Sequence, residues 1–143
     1  MPNKKQRPRQ TFFPVLRYRN AFDAIEWLAQ TFGFETDMVV PNEDGGVAHA
    51  QMRLGASIVM LGSVDEEDPL GLRPAKELGA ASQGIYVVVD DAEEHYGHSK
   101  EAGVEIVMEL THTEYGSTDY SARDPEGHIW SFGTYHPDDE ADG

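Results

Sequence analysis

The chain of 143 residues contains no cysteine. Without thiols it can form no disulfide, and it has neither a thiolate nucleophile nor a thiolate metal ligand. It also lacks an apolar run close to the roughly 20 residues that a membrane-spanning helix needs, and no secretory signal is visible. These absences predict a cytoplasmic protein that does not enter a membrane.

Positive charge is scarce as well. Eleven Lys and Arg residues stand against 26 Asp and Glu residues, for a net charge of −15. Phosphate backbones would be repelled, so the composition argues against nucleic acid as a partner. The first residues are the exception, because they carry Lys4, Lys5, Arg7 and Arg9 without an acid. Residues 1–11 are therefore predicted to be a disordered basic tail, and residues 137–143 an acidic tail.

The chain repeats one pattern of elements. Residues 15–34 read as a strand, an Asn/Asp start signal and an amphipathic helix that stops at Gly33. Residues 86–104 repeat this order up to Gly103, which lies 70 positions after Gly33. Each copy continues with a hairpin and a further strand, so the sequence predicts two β-α-β-β-β units in one α+β domain.

The unit boundaries follow from these signals. The first module is predicted at residues 12–62 and the second at residues 84–136. A linker rich in glycine, proline and acid joins them over residues 63–83. The repeat further suggests a cavity shared between the two modules.

Two motifs carry a family resemblance: Pro-Val-Leu-Arg-Tyr at residues 14–18 and Asp-Pro-Glu-Gly-His-Ile-Trp at residues 124–130. With the repeat, they make the chain resemble the vicinal oxygen chelate superfamily of glyoxalases, bleomycin resistance proteins and extradiol dioxygenases. The closest likeness is to bleomycin-resistance-like and uncharacterised glyoxalase-like members. The resemblance implies a curved mixed sheet around a concave cavity. It also implies a homodimer, since dimers that complete each other's cavities are frequent in this superfamily.

In the metal-dependent members of this superfamily, a divalent ion is held by His or Glu on the first and last strands of each module. The resemblance maps those positions onto Phe13, Val59, Gly84 and Ser131. None of these side chains is a competent ligand, apart from a serine that rarely binds alone. The sequence therefore predicts no metal site and no cofactor. His95 and His98, one turn apart on the second helix, are predicted to be solvated on its outer side.

Strand alternation assigns faces to the predicted sheet. Ala50, Met52 and Leu54 should lie under the helices, which turns the alternate residues of that strand toward the cavity. The same reasoning places Ser57, Val59 and Leu61 inside the cavity. Tyr115, in a Glu-Tyr-Gly loop, is a candidate cover for the ligand. The predicted ligand-binding residues are Phe13, Arg17, His49, Gln51, Arg53, Tyr86, Tyr115 and Ser131.

Three functions remain open at this level. The first is a metal-free small-molecule binding protein that sequesters a drug or toxic metabolite. The second is a lyase, isomerase or dioxygenase-like enzyme that uses His49 as an acid or base. The third is a structural or regulatory dimer without a ligand. The acidic chain suits a cationic guest, whereas Arg17 and Arg53 would favour an anionic or phenolic one.

Overall fold

The computed structural model describes residues 9–142, with side chains as far as residue 139. The predicted basic tail thus falls mostly outside the described residues, as does Gly143. The elements in chain order are β1 (Val15–Tyr18), α1 (Ala21–Phe32), β2 (Glu35–Pro41), β3 (Val47–Leu54), β4 (Ser57–Ser63), α2 (Ala75–Leu78), β5 (Gly84–Val88), α3 (Ala92–Glu101), β6 (Glu105–His112), β7 (Thr118–Arg123), β8 (Ile129–Gly133) and a 3-10 helix (Pro137–Asp142). The 3-10 helix occupies the predicted acidic tail.

The strands form two sheets of four, with the same order in each. The first sheet runs β1-β4-β3-β2 and the second β5-β8-β7-β6. In each sheet the first strand pairs in parallel with the last, and the remaining neighbours are antiparallel. The predicted α+β fold of two β-α-β-β-β modules is confirmed.

Helix α1 forms where apolar residues recur every three to four positions. Its buried stripe includes Ile25, Leu28 and Phe32, which cover the inner side of the first sheet. The helix ends at Gly33, whose φ of 84° is the left-handed conformation that glycine adopts without strain. Phe22, which the spacing assigns to the same stripe, is instead 48% exposed.

The two modules pack against each other through their helix-bearing sides. The Phe32 ring lies 4.6 Å from the Phe132 ring and 5.8 Å from the Trp130 ring, measured between centroids. Phe34 adds an edge contact to Trp130 at 5.4 Å. The core therefore lies between the two sheets, and the opposite side of each sheet faces outward.

The turn before β8 fastens the second module to the first. Asp124, 3% exposed, accepts hydrogen bonds from the Tyr18 hydroxyl at 2.6 Å and the Trp130 indole at 3.1 Å. Burial, with the charge of Asp124 beside it, raises the pKa of Tyr18 well above its usual value. The Glu126 carboxylate accepts from the backbone N–H groups of Arg19 and Asn20, at 2.6 and 2.9 Å. These bonds cross from one module to the start of α1 in the other.

No helix within residues 9–142 combines the length and apolar character needed to cross a membrane.

Candidate functional site

The side of the first sheet that faces away from α1 is here named the first open face. Residues paired directly across neighbouring strands point to the same side, so the strand register defines its members. They are Val15, Arg17, Glu35, Met38, Val40, His49, Gln51, Arg53, Ile58, Met60 and Gly62. Several apolar members are well exposed, including Val15 at 40% and Met38 at 45%.

The predicted orientation of β4 was wrong by one residue. Val59 pairs with Met52, and both are buried under α1, at 6% and 0% exposure. The cause is the tight turn at Gly55-Ala56, which sets Ser57 opposite Leu54 and so puts Arg53 opposite Ile58. Ser57, Val59 and Leu61 therefore face the helix, and Ile58 and Met60 face outward.

A chain of polar contacts crosses the first open face. His49 Nε2 lies 2.9 Å from Gln51 Oε1, and Gln51 Nε2 donates to Asp37 Oδ2 at 3.4 Å. Asp37 also pairs with Arg53 at 3.4 Å. Because a carbonyl oxygen only accepts, Nε2 of a neutral His49 must carry the proton. The other ring nitrogen, Nδ1, is then a base with a free lone pair.

Arg17 is turned toward the linker. Its guanidinium lies 3.7 Å from the Asp68 carboxylate, and the Nε of Arg17 is buried without a hydrogen-bond partner among the described residues. The linker thus supplies a countercharge for this arginine.

The second open face is the corresponding side of the second sheet, away from α1 and α3. Its members, read from the strand register, are Gly84, Tyr86, Val88, Glu105, Met108, Thr111, Asp119, Ser121, Arg123, Ile129, Ser131 and Gly133. Tyr86 and Val88 are 39% and 38% exposed. Glu105 and Arg123 form an ion pair at 3.1 Å, and the Ser121 and Ser131 hydroxyls are hydrogen-bonded at 2.6 Å.

Tyr86 and Asp119 form the polar centre of this face. The Tyr86 hydroxyl donates to Asp119 Oδ1 at 3.2 Å and accepts from the Tyr135 N–H at 3.0 Å. Desolvation, opposed by the Tyr135 bond and assisted by the Asp119 charge, raises the pKa of Tyr86 to about 12. Gly133 lies between the two side chains, and a Cβ there would collide with both.

The predicted ligand-binding residues are divided between the two open faces. Arg17, His49, Gln51 and Arg53 lie on the first, and Tyr86 and Ser131 on the second. The modules meet through their opposite sides, so a single chain does not enclose the expected cavity between these two groups. Phe13 precedes β1 and is 39% exposed, and Tyr115, in the β6–β7 loop, is 71% exposed.

The residues at the metal-ligand positions do not fit a metal ion. The outward-facing residues of β1, β4, β5 and β8 include Val15, Met60, Tyr86 and Ser131, without a His, Asp or Glu among them. The corrected orientation of β4 turns Ile58 and Met60 outward instead of Val59, and neither of these side chains is a metal ligand. Within the described residues, no group of three or more His, Asp or Glu side chains is placed to hold a metal.

The expectation of a solvated His95 was wrong. Its Nδ1 lies 2.6 Å from the Tyr120 hydroxyl, and its Nε2 lies 2.9 Å from the Phe32 carbonyl oxygen. This burial between the modules lowers the pKa of His95. His98 is exposed, with Nε2 at 3.0 Å from the Gln30 carbonyl oxygen. Helix α3 therefore lies between the modules, against the end of α1. Its polar sequence lacks the apolar stripe that would have predicted this position.

Sequence reasoning missed Asp119 and the outward-facing methionines. Alternation in Thr-Asp-Tyr-Ser-Ala-Arg could have revealed Asp119, because Tyr120 and Ala122 are the apolar set of that strand. Met60 follows once the turn at Gly55-Ala56 is counted as two residues. Met38 gives no such signal, because a register shift between Thr36 and Met38 interrupts the alternation.

Comparisons with known proteins agree with this architecture. The sequence profile of the Glyoxalase/Bleomycin resistance protein/Dioxygenase superfamily matches residues 12–132. An uncharacterised protein of Mycobacterium tuberculosis is 29% identical over 123 residues, which span 84% of this chain and 71% of that protein. The crystal structure of TioX from Micromonospora sp. ML1 superposes with a TM-score of 0.71 at 30% identity, covering 88% of this chain and all of that one. A glyoxalase/bleomycin resistance protein from Streptomyces sp. CB03234 shares the fold, with a TM-score of 0.64 at 18% identity over 84% of this chain and 96% of its own.

Proposed function

The chain belongs to the Glyoxalase/Bleomycin resistance protein/Dioxygenase superfamily, and from this premise we propose that it is a metal-free small-molecule binding protein. In this proposal it acts as a homodimer, and the ligand lies between the first open face of one chain and the second open face of its partner. Sequestration of a drug or toxic metabolite is the corresponding role. The observation that carries the proposal is that both sheets leave apolar side chains exposed opposite the core.

Exposed apolar side chains on both sheets support the proposal that a partner chain covers the open faces. Val15, Met38 and Val40 are exposed on the first open face, and Val88 and Met108 on the second, each between 38% and 45%. These residues lie on the edge strands of each sheet, with polar side chains between them, and a partner chain laid over the face would bury them. A small ligand alone would cover only part of either sheet.

Two-fold symmetry provides a cover for every face at once. If the first face of one chain lies over the second face of its partner, the same rotation brings the remaining two faces together. The assembly then closes and contains two equal cavities. Each cavity would unite His49 and Gln51 from one chain with Tyr86 and Ser131 from the other. Such a mixture of apolar walls and a few polar groups is typical of small-molecule pockets.

Oligomeric state and ligand binding test the two parts of the proposal. We expect the wild type to have twice the mass of one chain in light scattering, and Met38→Glu or Val88→Glu to shift it toward the monomer. Leu78→Glu is the matched control, since Leu78 is 64% exposed but lies on neither open face. A wild-type monomer, or an equal response in the control, would contradict the shared cavity.

Mixed dimers test whether the cavity is shared. The probe is the compound that most stabilises the wild type in a thermal-shift screen of drug-like cations and anions. A dimer of one His49→Ala chain and one Tyr86→Ala chain keeps one intact cavity, so we expect one probe per mixed dimer and two per wild-type dimer. A dimer that no compound stabilises would favour the structural or regulatory role instead.

Catalysis is a second candidate because His49 has the geometry of a base. Its Nε2 lies 2.9 Å from Gln51 Oε1, which leaves Nδ1 as the ring nitrogen available for proton transfer. A lyase or isomerase reaction would use this nitrogen. If a turnover is detected, His49→Ala should reduce kcat by about 10²-fold or more, while Gln51→Glu should alter the pH profile. Unchanged kcat in His49→Ala would exclude this role.

A further inference from the structure

We propose that the ligand is an organic cation and that Asp119 is its countercharge. The inference rests on the proposed ligand-binding function and names the class of compound that the site would take. This site would bind an ammonium or amidinium group attached to an apolar hydrocarbon or ring. The two arginines of the first open face do not favour an anion, because each has a carboxylate beside it.

The basic side chains on the open faces already have carboxylate partners. Arg53 pairs with Asp37 at 3.4 Å, and Arg17 lies 3.7 Å from Asp68. On the second open face Arg123 pairs with Glu105 at 3.1 Å. Each arginine is therefore compensated within its own chain, and an anionic ligand would have to compete with a protein carboxylate for it.

Asp119 is the exception among the charged residues of the second open face. Within the part of the chain that the structure describes, Asp119 has no Lys, Arg or His within ion-pair distance; the ion pairs found there leave it out. Its two recorded partners are neutral hydroxyls: Tyr86 at 3.2 Å to Oδ1 and Ser117 at 3.3 Å to Oδ2. The second open face thus presents one uncompensated negative charge.

The neutral partners hold this carboxylate in one place. The Tyr86 hydroxyl accepts a hydrogen bond from the Tyr135 N–H, which directs its own proton toward Asp119. Gly133 permits the close approach, because any side chain there would displace Asp119 and Tyr86. A carboxylate has about four acceptor sites, and these two hydrogen bonds leave capacity for a ligand. Such preorganised acceptors bind ligand N–H groups with less ordering cost.

The surroundings of Asp119 suit the rest of such a ligand. Tyr86, Val88 and Met108 are exposed apolar side chains on the same face. Aromatic rings attract cations through their negative faces, and methionine adapts to flat apolar surfaces. One face therefore offers a carboxylate for the charged group of such a ligand and apolar side chains for the rest of it.

Three fluorescent probes with the same ring test the inference. They are 9-(aminomethyl)anthracene, 9-anthracenemethanol and anthracene-9-carboxylate, which are cationic, neutral and anionic at neutral pH. Binding is titrated by fluorescence with the wild-type protein. We expect the ammonium probe to bind about tenfold to a hundredfold more tightly than the carboxylate probe, as befits one charge-assisted hydrogen bond.

Asp119→Asn should remove that preference by lowering the affinity for the ammonium probe, with little change in the affinity for the alcohol probe. Glu101→Gln is the control, because it removes the same charge from the exposed end of α3. The preference of the wild type for the ammonium probe over the carboxylate probe is measured without any variant. It tests the inference even if the Asp119→Asn protein folds poorly. Tyr86→Phe should cause a smaller loss, because Asp119 would keep its charge.

The outcomes separate this inference from the proposed function. Equal or tighter binding of the carboxylate probe, or an unchanged ammonium preference in Asp119→Asn, would overturn the inference and leave ligand binding intact. A monomer that binds the ammonium probe through Asp119 would overturn the shared cavity and support the inference. Failure of all three probes to bind would count against both.

Discussion

The two modules have the same order of elements, yet they hold their helices in different ways. Helix α1 is held by apolar side chains such as Leu28 and Phe32, both nearly inaccessible to solvent. Helix α3 buries little aliphatic surface and combines ring contacts of His95 and Tyr96 with hydrogen bonds of His95 and Ser99. The comparison shows that one architecture tolerates two kinds of inner surface, provided that buried polar groups find partners.

The helix starts differ as well. In α3 the Asp91 side chain accepts from the Glu94 N–H at 3.0 Å, so the cap comes from its own sequence. In α1 the Asn20 side chain makes no capping bond. The Glu126 carboxylate of the second module takes a corresponding place beside the start of α1. The start of α1 is thus supported by the other module, whereas the start of α3 is capped within its own module.

Removing the apolar anchor of α1 should have the largest effect. Phe32→Ala deletes a ring that is 1% exposed and touches both Trp130 and Phe132. We expect the free energy of unfolding to fall by about 3–5 kcal/mol, because a cavity is left between the modules. Urea denaturation at fixed protein concentration measures the loss. Phe22→Ala on the same helix is the control and should cost much less, since Phe22 is half exposed; equal losses would contradict the assigned packing.

Cap variants should have an intermediate effect and sharpen the comparison of helix starts. Asp91→Ala should lower the free energy of unfolding by about 1 kcal/mol, the usual cost of losing a side-chain cap. Glu126→Ala should cost about as much, because negative charge near a helix start is stabilising. Asn20→Ala should cost less than either. Should Asn20→Ala prove the most costly of the three, the cap of α1 would be local after all.

The pH response of His95 is the smallest expected effect. Burial lowers its pKa in the folded state, so between the folded value and the ordinary value of about 6.5 the unfolded chain binds the extra proton. The stability that this group contributes is present above about 6.5 and is lost as the pH falls below that value. Denaturation at pH ~7.5 and ~5.5 should show a greater loss in the wild type than in His95→Gln.

His136→Gln is the matched control, since His136 is exposed near the end of the described chain. This variant shows how the loss of an exposed histidine, rather than a buried one, changes the response. A response in His95→Gln identical to that of the wild type would mean that this histidine is protonated in the folded protein, contrary to its burial.

Much of the fold could be predicted from local signals. The stop of the first helix at Gly33 and the hairpin in each module depend on a few neighbouring residues, and the structure has them where the sequence indicated. The face assignment on β3 also held, because Ala50 and Met52 alternate cleanly with His49 and Gln51. The assignment on β4 was wrong because Ile58 to Leu61 is apolar throughout, so alternation carries no information there.

The site could be predicted only in part. His49, Tyr86 and Ser131 lie on open sheet faces, as alternation indicated, and their role in binding stays a prediction. Asp119 and the outward methionines were overlooked, although the β7 pattern contained the signal for the first. Arg17 pairs with Asp68, which is distant in sequence. Arg53 pairs with Asp37, which lies at an irregularity in β2. No local sequence pattern predicts either ion pair.

The sequence by itself determined the repeat and the order of strands and helices, because both depend on residue type and spacing. The tertiary structure decided which side of each sheet is buried. Both modules could have met through either side, and their helix-bearing sides meet because Phe32, Trp130 and Phe132 bury their rings there. That choice exposes the two open faces and places Asp119 on one of them.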